Sequence, residues 1–253
     1  MTVSVRKRSR WRLNSGELHI WSASLDEQEP YLDRFTALLS EDELERADRF
    51  RFTRDRARYI VGRGLLRTLL GGYAAQDPGA LLFAYNEYGK PELPEWPDLR
   101  FNLAHSESRA LFALARSTDV GVDLERRRPE FAQENVAEHF FSPYEVEVLR
   151  GLADHEQADA FLACWTRKEA FLKARGDGLS LPLHDFDVTL APGKPAALLR
   201  TAWSRTEPQE WRLYDLSGFY PGYAAALSVR WNDGRIVIRH GQDSLLPAVN
   251  RTN

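Results

Sequence analysis

The chain alternates short strand-like stretches with longer amphipathic ones. Residues 17–25 combine apolar and small side chains at the alternating spacing of a strand. Ser40 and Glu43 have the spacing of a capping box ahead of an apolar run, and a second amphipathic pattern follows over 57–73. The chain is therefore predicted to begin with a strand and to continue with two helices.

Beyond these helices, three prolines and a glycine in residues 85–97 predict an ordered loop without a regular element. The pattern then predicts strands, helices and strands again. The predicted strands cover 100–103, 110–115, 120–125, 186–190, 211–213, 223–231 and 236–239, and the predicted helices cover 131–140, 142–151 and 154–175. Because the same order of elements occurs twice, we expect two lobes, covering residues 1–118 and 119–253.

Composition narrows the class of protein. The chain has 253 residues, of which 43% are hydrophobic, enough for one large domain or two smaller lobes. No apolar run is long enough to cross a membrane, and the basic stretch 6–12 is not followed by the apolar segment of a secretory signal. The single cysteine, Cys164, lies in an apolar helical stretch, where a core role is expected. We therefore expect a cytoplasmic protein that does not bind membranes.

Charge is distributed unevenly along the chain. The formal net charge of -3 gives no overall signal for nucleic acid binding, so no nucleic acid partner is expected. Residues 46–67 nevertheless contain eight arginines, with Asp48 and Asp55 as the acids among them. This segment is either an anion-binding surface or a solvated helix face whose arginines pair with acids, and charge alone favours the second interpretation.

Two carboxylates are predicted to share one face of a strand. Side chains alternate along residues 120–125, so Asp123 and Glu125 point the same way. Their Cα atoms would be about 6 to 7 Å apart, which allows both carboxylates to reach one hard cation while Gly121 leaves room beside them. The alternative is a solvated strand face with two exposed acids.

A third acid lies on the predicted helix 154–175. Glu169 follows Trp165 by four residues, so it borders the buried face, and Lys173 lies one turn further on. An ordinary surface pair between Glu169 and Lys173 explains this spacing. An acid next to apolar side chains, by contrast, needs a cation or hydrogen bonds to remain ionised. These residues alone leave both explanations open.

Two segments together resemble the paired signature of the 4'-phosphopantetheinyl transferase superfamily: GVDLE at 121–125 and WTRKEAFLKARGDGLSLPL at 165–183. EYGKPEL at 87–93 and FNLAHS at 101–106 are similar to the coenzyme A segments of its Sfp-type members, and residues 40–70 are similar to their basic N-terminal helices. The resemblance implies an α+β fold with two pseudosymmetric lobes, each a small, mainly antiparallel sheet packed with helices, in a monomer. It also implies transfer of the 4'-phosphopantetheine moiety of coenzyme A to a serine of an apo acyl or peptidyl carrier protein, with release of 3',5'-ADP.

The same resemblance implies roles for single residues. Asp123, Glu125 and Glu169 would hold Mg2+, the expected cofactor, while coenzyme A is the co-substrate. Glu169 and Lys173 are the expected catalytic residues, with Glu169 as the base for the carrier serine and Lys173 at the pyrophosphate. The expected coenzyme A contacts are Arg46, Gly89, Lys90, Pro91, Asn102, His105, Asp123 and Lys173.

Two positions depart from the family pattern. Ala104 stands where relatives often carry a small hydroxyl residue, and Glu43 stands near a position where some relatives carry a basic residue. Without the resemblance, His105 is interpreted as a buried structural histidine and Lys90 as an exposed turn lysine. The competing functions are a non-catalytic module that binds coenzyme A or carrier proteins, and a metal-dependent nuclease.

Overall fold

The computed structural model of the protein describes residues 11–26, 31–128, 136–231 and 234–240. Its strands are β1 (Glu17–Ser24), β2 (Ala84–Tyr85), β3 (Pro91–Glu92), β4 (Leu99–Ser106), β5 (Arg109–Arg116), β6 (Val120–Arg126), β7 (Phe186–Val188), β8 (Leu198–Thr201), β9 (Arg212–Asp215), β10 (Tyr223–Val229) and β11 (Arg235–His240). Its α-helices are α1 (Leu32–Thr36), α2 (Glu41–Asp48), α3 (Thr53–Ala74), α4 (Val136–Phe140), α5 (Pro143–Arg150), α6 (Asp154–Arg175) and α7 (Glu207–Glu210). Short 3-10 turns occupy Pro78–Ala80, Gly178–Ser180, Leu183–Asp185 and Ser217–Phe219.

Two sheets organise the molecule. The larger has the strand order β11–β1–β5–β4, in which β1, β5 and β4 pair antiparallel and β11 pairs parallel with β1. The smaller has the order β6–β10–β9, with antiparallel pairs throughout. Two further two-stranded ribbons are formed by β2 with β3 and by β7 with β8. The predicted α+β class, with small and mainly antiparallel sheets packed with helices, is confirmed.

Three apolar clusters hold these layers together. One packs α3 against the larger sheet, with Leu66 and Phe112 fully buried. A second packs α6 against the β7–β8 ribbon and strand β9, around Phe171 and Phe186. The third lies between the two sheets and joins Ile20 of the larger sheet to Val122, Leu227 and other residues of the smaller one. This third cluster follows from the alternation in β6, which turns its valines and leucine toward the larger sheet.

Several predicted elements are found and several boundaries differ. Helix α6 has the predicted bounds, 154–175, and Ser40 begins α2 through the predicted capping box with Glu43. The region predicted to lack regular elements contains the short β2–β3 hairpin, because Asn86 accepts and donates hydrogen bonds that close a tight turn. Of the predicted helix 131–140, residues 131–135 lie outside the described part of the chain. Among the described helices, none is long and apolar enough to span a membrane.

Candidate active site

A close contact between strand β6 and helix α6 places the acidic residues. A Cβ atom at Gly121 would lie 2.2 Å from the carbonyl oxygen of Ala170 and 2.3 Å from the nitrogen of Ala174, so only glycine fits. The space beside Gly121, expected to serve a cation, is thus filled by the backbone of α6. Asp123 and Glu125 follow Gly121 on the same face, so they emerge next to the last turns of the helix.

An ion pair between Asp123 and Lys173 forms the centre of this region. The Nζ atom of Lys173 donates to Oδ1 of Asp123 at 2.6 Å. The side chain of Asp123 is 5% exposed and that of Lys173 is 31% exposed. The second oxygen, Oδ2 of Asp123, is buried and has no hydrogen-bond partner among the residues that the structure describes. A buried carboxylate oxygen without a partner is costly, so it marks a place where a positively charged group would be stabilised.

Negative charge accumulates around this pair. Burial and the neighbouring charge of Asp123 raise the pKa of Glu125, and burial and Asp123 also raise the pKa of Glu169. Burial opposes the charged form of Lys173, but Asp123, Glu169 and Glu125 outweigh it and raise the pKa of that ammonium. The Ser106 hydroxyl donates to Oε2 of Glu125 at 3.0 Å and accepts the N–H of Arg126 at 3.1 Å, which orients the Glu125 carboxylate. Three acids therefore share one lysine.

The donors in this cluster fit a hard divalent cation. Asp123, Glu125 and Glu169 supply carboxylate oxygens, the ligands that Mg2+ prefers, and Oδ2 of Asp123 is unpartnered. Within the described residues, no three histidine, cysteine, aspartate or glutamate side chains already converge on one metal position. Movement of side chains is therefore required to bring the three carboxylates together on one cation.

A cleft of about 250 Å³ opens beside the cluster. One wall comes from the β2–β3 hairpin, with Gly89, Lys90 and Pro91, and the other comes from α6, with Glu169 and Lys173. Gly89 has a φ of 82°, a left-handed conformation that glycine adopts without strain. Asn102 of β4 also lines the cleft. The structure thus brings six of the predicted site residues to one opening.

Comparison with known proteins adds to this geometry. The protein-family model "4'-phosphopantetheinyl transferase superfamily" matches residues 119–228 of the chain. A second family model, "4'-phosphopantetheinyl transferase, N-terminal", matches residues 20–117. The 4'-phosphopantetheinyl transferase HetI of Nostoc sp. is 44% identical to the chain, over 77% of this chain and 84% of HetI. The chain belongs to the 4'-phosphopantetheinyl transferase family. The predicted family, enzyme class and function are confirmed: this transferase moves phosphopantetheine from coenzyme A, its co-substrate, to carrier proteins.

Two further relatives come from Bacillus subtilis. A 4'-phosphopantetheinyl transferase of this organism is 37% identical, over 62% of this chain and 69% of the relative. The 4'-phosphopantetheinyl transferase Sfp of strain 168 is 35% identical over the same shares of the two chains.

The remaining predicted site residues of the transferase lie around the cleft or away from it. Part of the His105 side chain is exposed on β4. Burial of the rest, together with the positive charges of Lys173 and Arg58, lowers the pKa of its imidazole. Oδ1 of Asn102 accepts the backbone N–H of Val122 at 2.9 Å, which ties β4 to β6. Ala104 is buried in the cluster between the two sheets. Arg46 does not line the cleft and instead lies 5.8 Å from the ring centre of Tyr59.

Glu43 forms ion pairs with two arginines of the arginine-rich segment 46–67. Its carboxylate is buried and accepts hydrogen bonds from Nε of Arg63 at 2.7 Å and from Nε of Arg67 at 2.6 Å. Four of the other six arginines of residues 46–67 also form ion pairs with acids: Arg49, Arg54, Arg56 and Arg58. Most of this segment therefore follows the second interpretation, a helical surface whose arginines pair with acids.

Two polar residues of the transferase site were not singled out from the sequence. Ser106 holds Glu125, and Asn86 connects the hairpin to α6 through a hydrogen bond from Nδ2 to the carbonyl of Gly176 at 2.8 Å. Ser106 lies inside the FNLAHS segment, so its place in that motif was the available signal. Asn86 precedes EYGKPEL and has no local signal beyond the turn preference of asparagine.

Proposed function

We propose that the cluster of Asp123, Glu125, Glu169 and Lys173 is the catalytic centre of this transferase. The observation that carries the proposal is the unpartnered Oδ2 of Asp123 within a group of three acids that share one lysine. The three acids hold Mg2+ in this proposal, and Mg2+ supplies positive charge to the pyrophosphate of coenzyme A. The cleft between the β2–β3 hairpin and α6 receives coenzyme A.

The residues of the chain then have separate tasks in the transfer. The serine hydroxyl of the carrier attacks the β-phosphorus of coenzyme A, a new P–O bond forms, and the bond to 3',5'-ADP breaks. Lys173, whose ammonium is partly exposed to the cleft, offsets the charge on the pyrophosphate. Glu169, which lies beside Lys173 and Asp123, accepts the serine proton. Lys90 and His105 contact phosphate groups of coenzyme A, and Arg46 lies toward its 3'-phosphate.

Lobe boundaries, location and assembly belong to the same proposal. The two family models meet between residues 117 and 119, which supports lobes of 1–118 and 119–253. The pairing of β11 with β1 makes the second lobe contribute one strand to the sheet of the first. The transferase is proposed to act as a monomer, as its similarity to the Sfp type implies, and in the cytoplasm, because its single cysteine, Cys164, is buried and cannot form a disulfide within the chain. Its partners are acyl or peptidyl carrier proteins.

Intact-protein mass spectrometry tests this proposal. Apo acyl and peptidyl carrier proteins are incubated with the transferase, coenzyme A and Mg2+, beside a sample with a chelator and a sample with the Asp123→Ala variant. A mass gain of one phosphopantetheine is expected with the wild-type enzyme alone. Equal transfer by Asp123→Ala would remove this cluster from the reaction, and equal transfer with the chelator would remove the metal.

A further inference from the structure

Asn86, at the start of the β2–β3 turn, uses both ends of its side-chain amide. Its Oδ1 accepts the backbone N–H of Tyr88 at 3.0 Å and that of Lys90 at 2.8 Å. Its Nδ2 donates to the carbonyl of Gly176 at 2.8 Å. The oxygen therefore shapes the turn, and the nitrogen attaches the turn to the end of helix α6.

The hairpin caps the helix that carries the catalytic residues. Helix α6 ends at Arg175 and is capped by Gly176, whose φ of 87° is left-handed, and the last carbonyls of a helix have no partner inside it. Asn86 donates to the carbonyl of Gly176, and Nζ of Lys90 donates to the carbonyl of Ala174 at 2.7 Å. The first contact joins residues that are 90 positions apart in the chain, and the second joins residues that are 84 positions apart. Both contacts therefore connect two separate parts of the fold.

The attachment also fixes the width of the cleft. A Cβ at Gly176 would lie 3.1 Å from Cδ of Lys90, and one at Gly178 would lie 3.1 Å from Cβ of Tyr88. The hairpin and the segment after α6 are therefore in close contact, and a Cβ atom at either glycine would press against the hairpin. Gly89 and Pro91 on one wall face Glu169 and Lys173 on the other across a distance set by this contact.

We propose that Asn86 is a positioning residue, which holds the hairpin wall against helix α6 and thereby sets the fit of coenzyme A in the cleft. This inference rests on the proposed function, because it takes the cleft to be the coenzyme A site. Asn86 does not line the cleft, so it acts through Gly89 and Lys90 and not by touching the ligand. Its effect belongs to binding of coenzyme A and not to the transfer step.

Asn86→Asp separates the two functions of the side chain. Aspartate keeps the oxygen that accepts the N–H groups of Tyr88 and Lys90, so the turn can still form. It loses the donor to Gly176 and places a negative charge against a carbonyl at the negative end of the helix dipole. The dissociation constant for coenzyme A is expected to rise about tenfold, the effect of losing one hydrogen bond that leaves a carbonyl unpaired. The kcat at saturating coenzyme A is expected to change less than about twofold.

Isothermal titration of coenzyme A with Mg2+ present, together with kcat and the melting temperature, tests the inference. Asn14→Asp is the matched control, since Asn14 is exposed and lies outside the cleft. Its Nδ2 atom donates a hydrogen bond to Oε2 of Glu17 at 2.8 Å. The control is expected to bind coenzyme A like the wild type. If the wild type binds no coenzyme A, the proposed function fails. If the wild type binds and Asn86→Asp binds equally well, or loses melting temperature and kcat at an unchanged dissociation constant, the positioning role alone is overturned.

Discussion

Helix α6 carries two lysines that each meet a carboxylate, and the two pairs differ in how fully their polar atoms are satisfied. The first pair joins Nζ of Lys168 to Oε2 of Glu145 at 2.8 Å, with both side chains 0% exposed. Lys168 also donates to two backbone carbonyls, and Glu145 also accepts two backbone N–H groups. Every charge in this pair has a partner, so the pair connects α5, α6 and β7 without needing a ligand.

The second pair, Lys173 with Asp123, is also short, at 2.6 Å, but incomplete. Among the described residues, Oδ2 of Asp123 has no partner, and burial together with the charge of Asp123 raises the pKa of the neighbouring Glu125 and Glu169. Burial of the carboxylates does not distinguish the two pairs, since Asp123 is nearly as buried as Glu145, whereas Lys173 is 31% exposed and Lys168 is fully buried. The difference lies in the surplus of negative charge, which is the property expected of a site that binds a cation and an anionic substrate.

The largest effect that separates the two pairs is expected from Lys173→Ala. Loss of the ammonium removes the charge that opposes the pyrophosphate, so kcat is expected to fall about a thousandfold. The melting temperature is expected to fall as well, because the buried carboxylate of Asp123 loses its partner, but by less than in Lys168→Met, since the ammonium of Lys173 is 31% exposed. Rates of phosphopantetheine transfer, followed by intact mass, measure this effect. A kcat within tenfold of the wild type would mean that Lys173 is not a catalytic residue.

Lys168→Met is expected to have the opposite effect, a large loss of stability with a small change in kcat. It leaves the carboxylate of Glu145 buried without its lysine, which is expected to lower the free energy of unfolding by about 3 to 5 kcal/mol. Urea denaturation measures this loss. The double variant Glu145→Gln, Lys168→Met removes both charges and should recover part of the stability. A single variant as stable as the wild type would contradict the structural role of this pair.

The sequence predicted those parts of the fold that have a strong local pattern. Helix α6 has a long apolar stripe and ends at a glycine, so both of its bounds were predictable. Strand β8 and helices α1 and α7 were missed, because four or five residues contain too little periodicity to distinguish them from a loop. The parallel pairing of β11 with β1 depends on contacts between distant residues, which no local pattern contains.

A similar division holds for the candidate site. Alternation in β6 predicted that Asp123 and Glu125 share a face, and helical spacing placed Lys173 beside Glu169. The pairing of Lys173 with Asp123 instead depends on how closely α6 approaches β6 at Gly121, a contact between backbones of separate elements. The hydrogen bond from Lys90 to the carbonyl of Ala174 in α6 likewise joins residues far apart in the chain, so the sequence did not predict this acceptor.

A smaller effect is expected from the protonation of Lys90. Burial lowers the pKa of this ammonium to about 8. Between about pH 8 and the higher pKa that this lysine has in the unfolded chain, the unfolded state binds more protons than the folded state. The contribution of Lys90 to the free energy of unfolding therefore rises with pH in that window, and it is lost as the pH falls through about 8. A phosphate group near Lys90 would stabilise its charged form, so coenzyme A binding at about pH 9 is expected to take up a fraction of a proton.

Titration calorimetry in two buffers that differ in ionisation enthalpy measures this proton uptake. Lys90→Met, which keeps the length of the side chain without its charge, is expected to abolish the uptake. The same uptake in Lys90→Met and in the wild type would assign the proton to another group and would separate Lys90 from the phosphate.

The central claim is that the Asp123 cluster carries a surplus of negative charge until a cation binds. Its most direct test is the melting temperature of the transferase with and without Mg2+ at constant ionic strength. The account predicts that Mg2+ at about a hundred times its dissociation constant stabilises the wild type by about 2.7 kcal/mol and leaves Asp123→Asn unchanged. Equal stabilisation of the two proteins, or of neither, would contradict it.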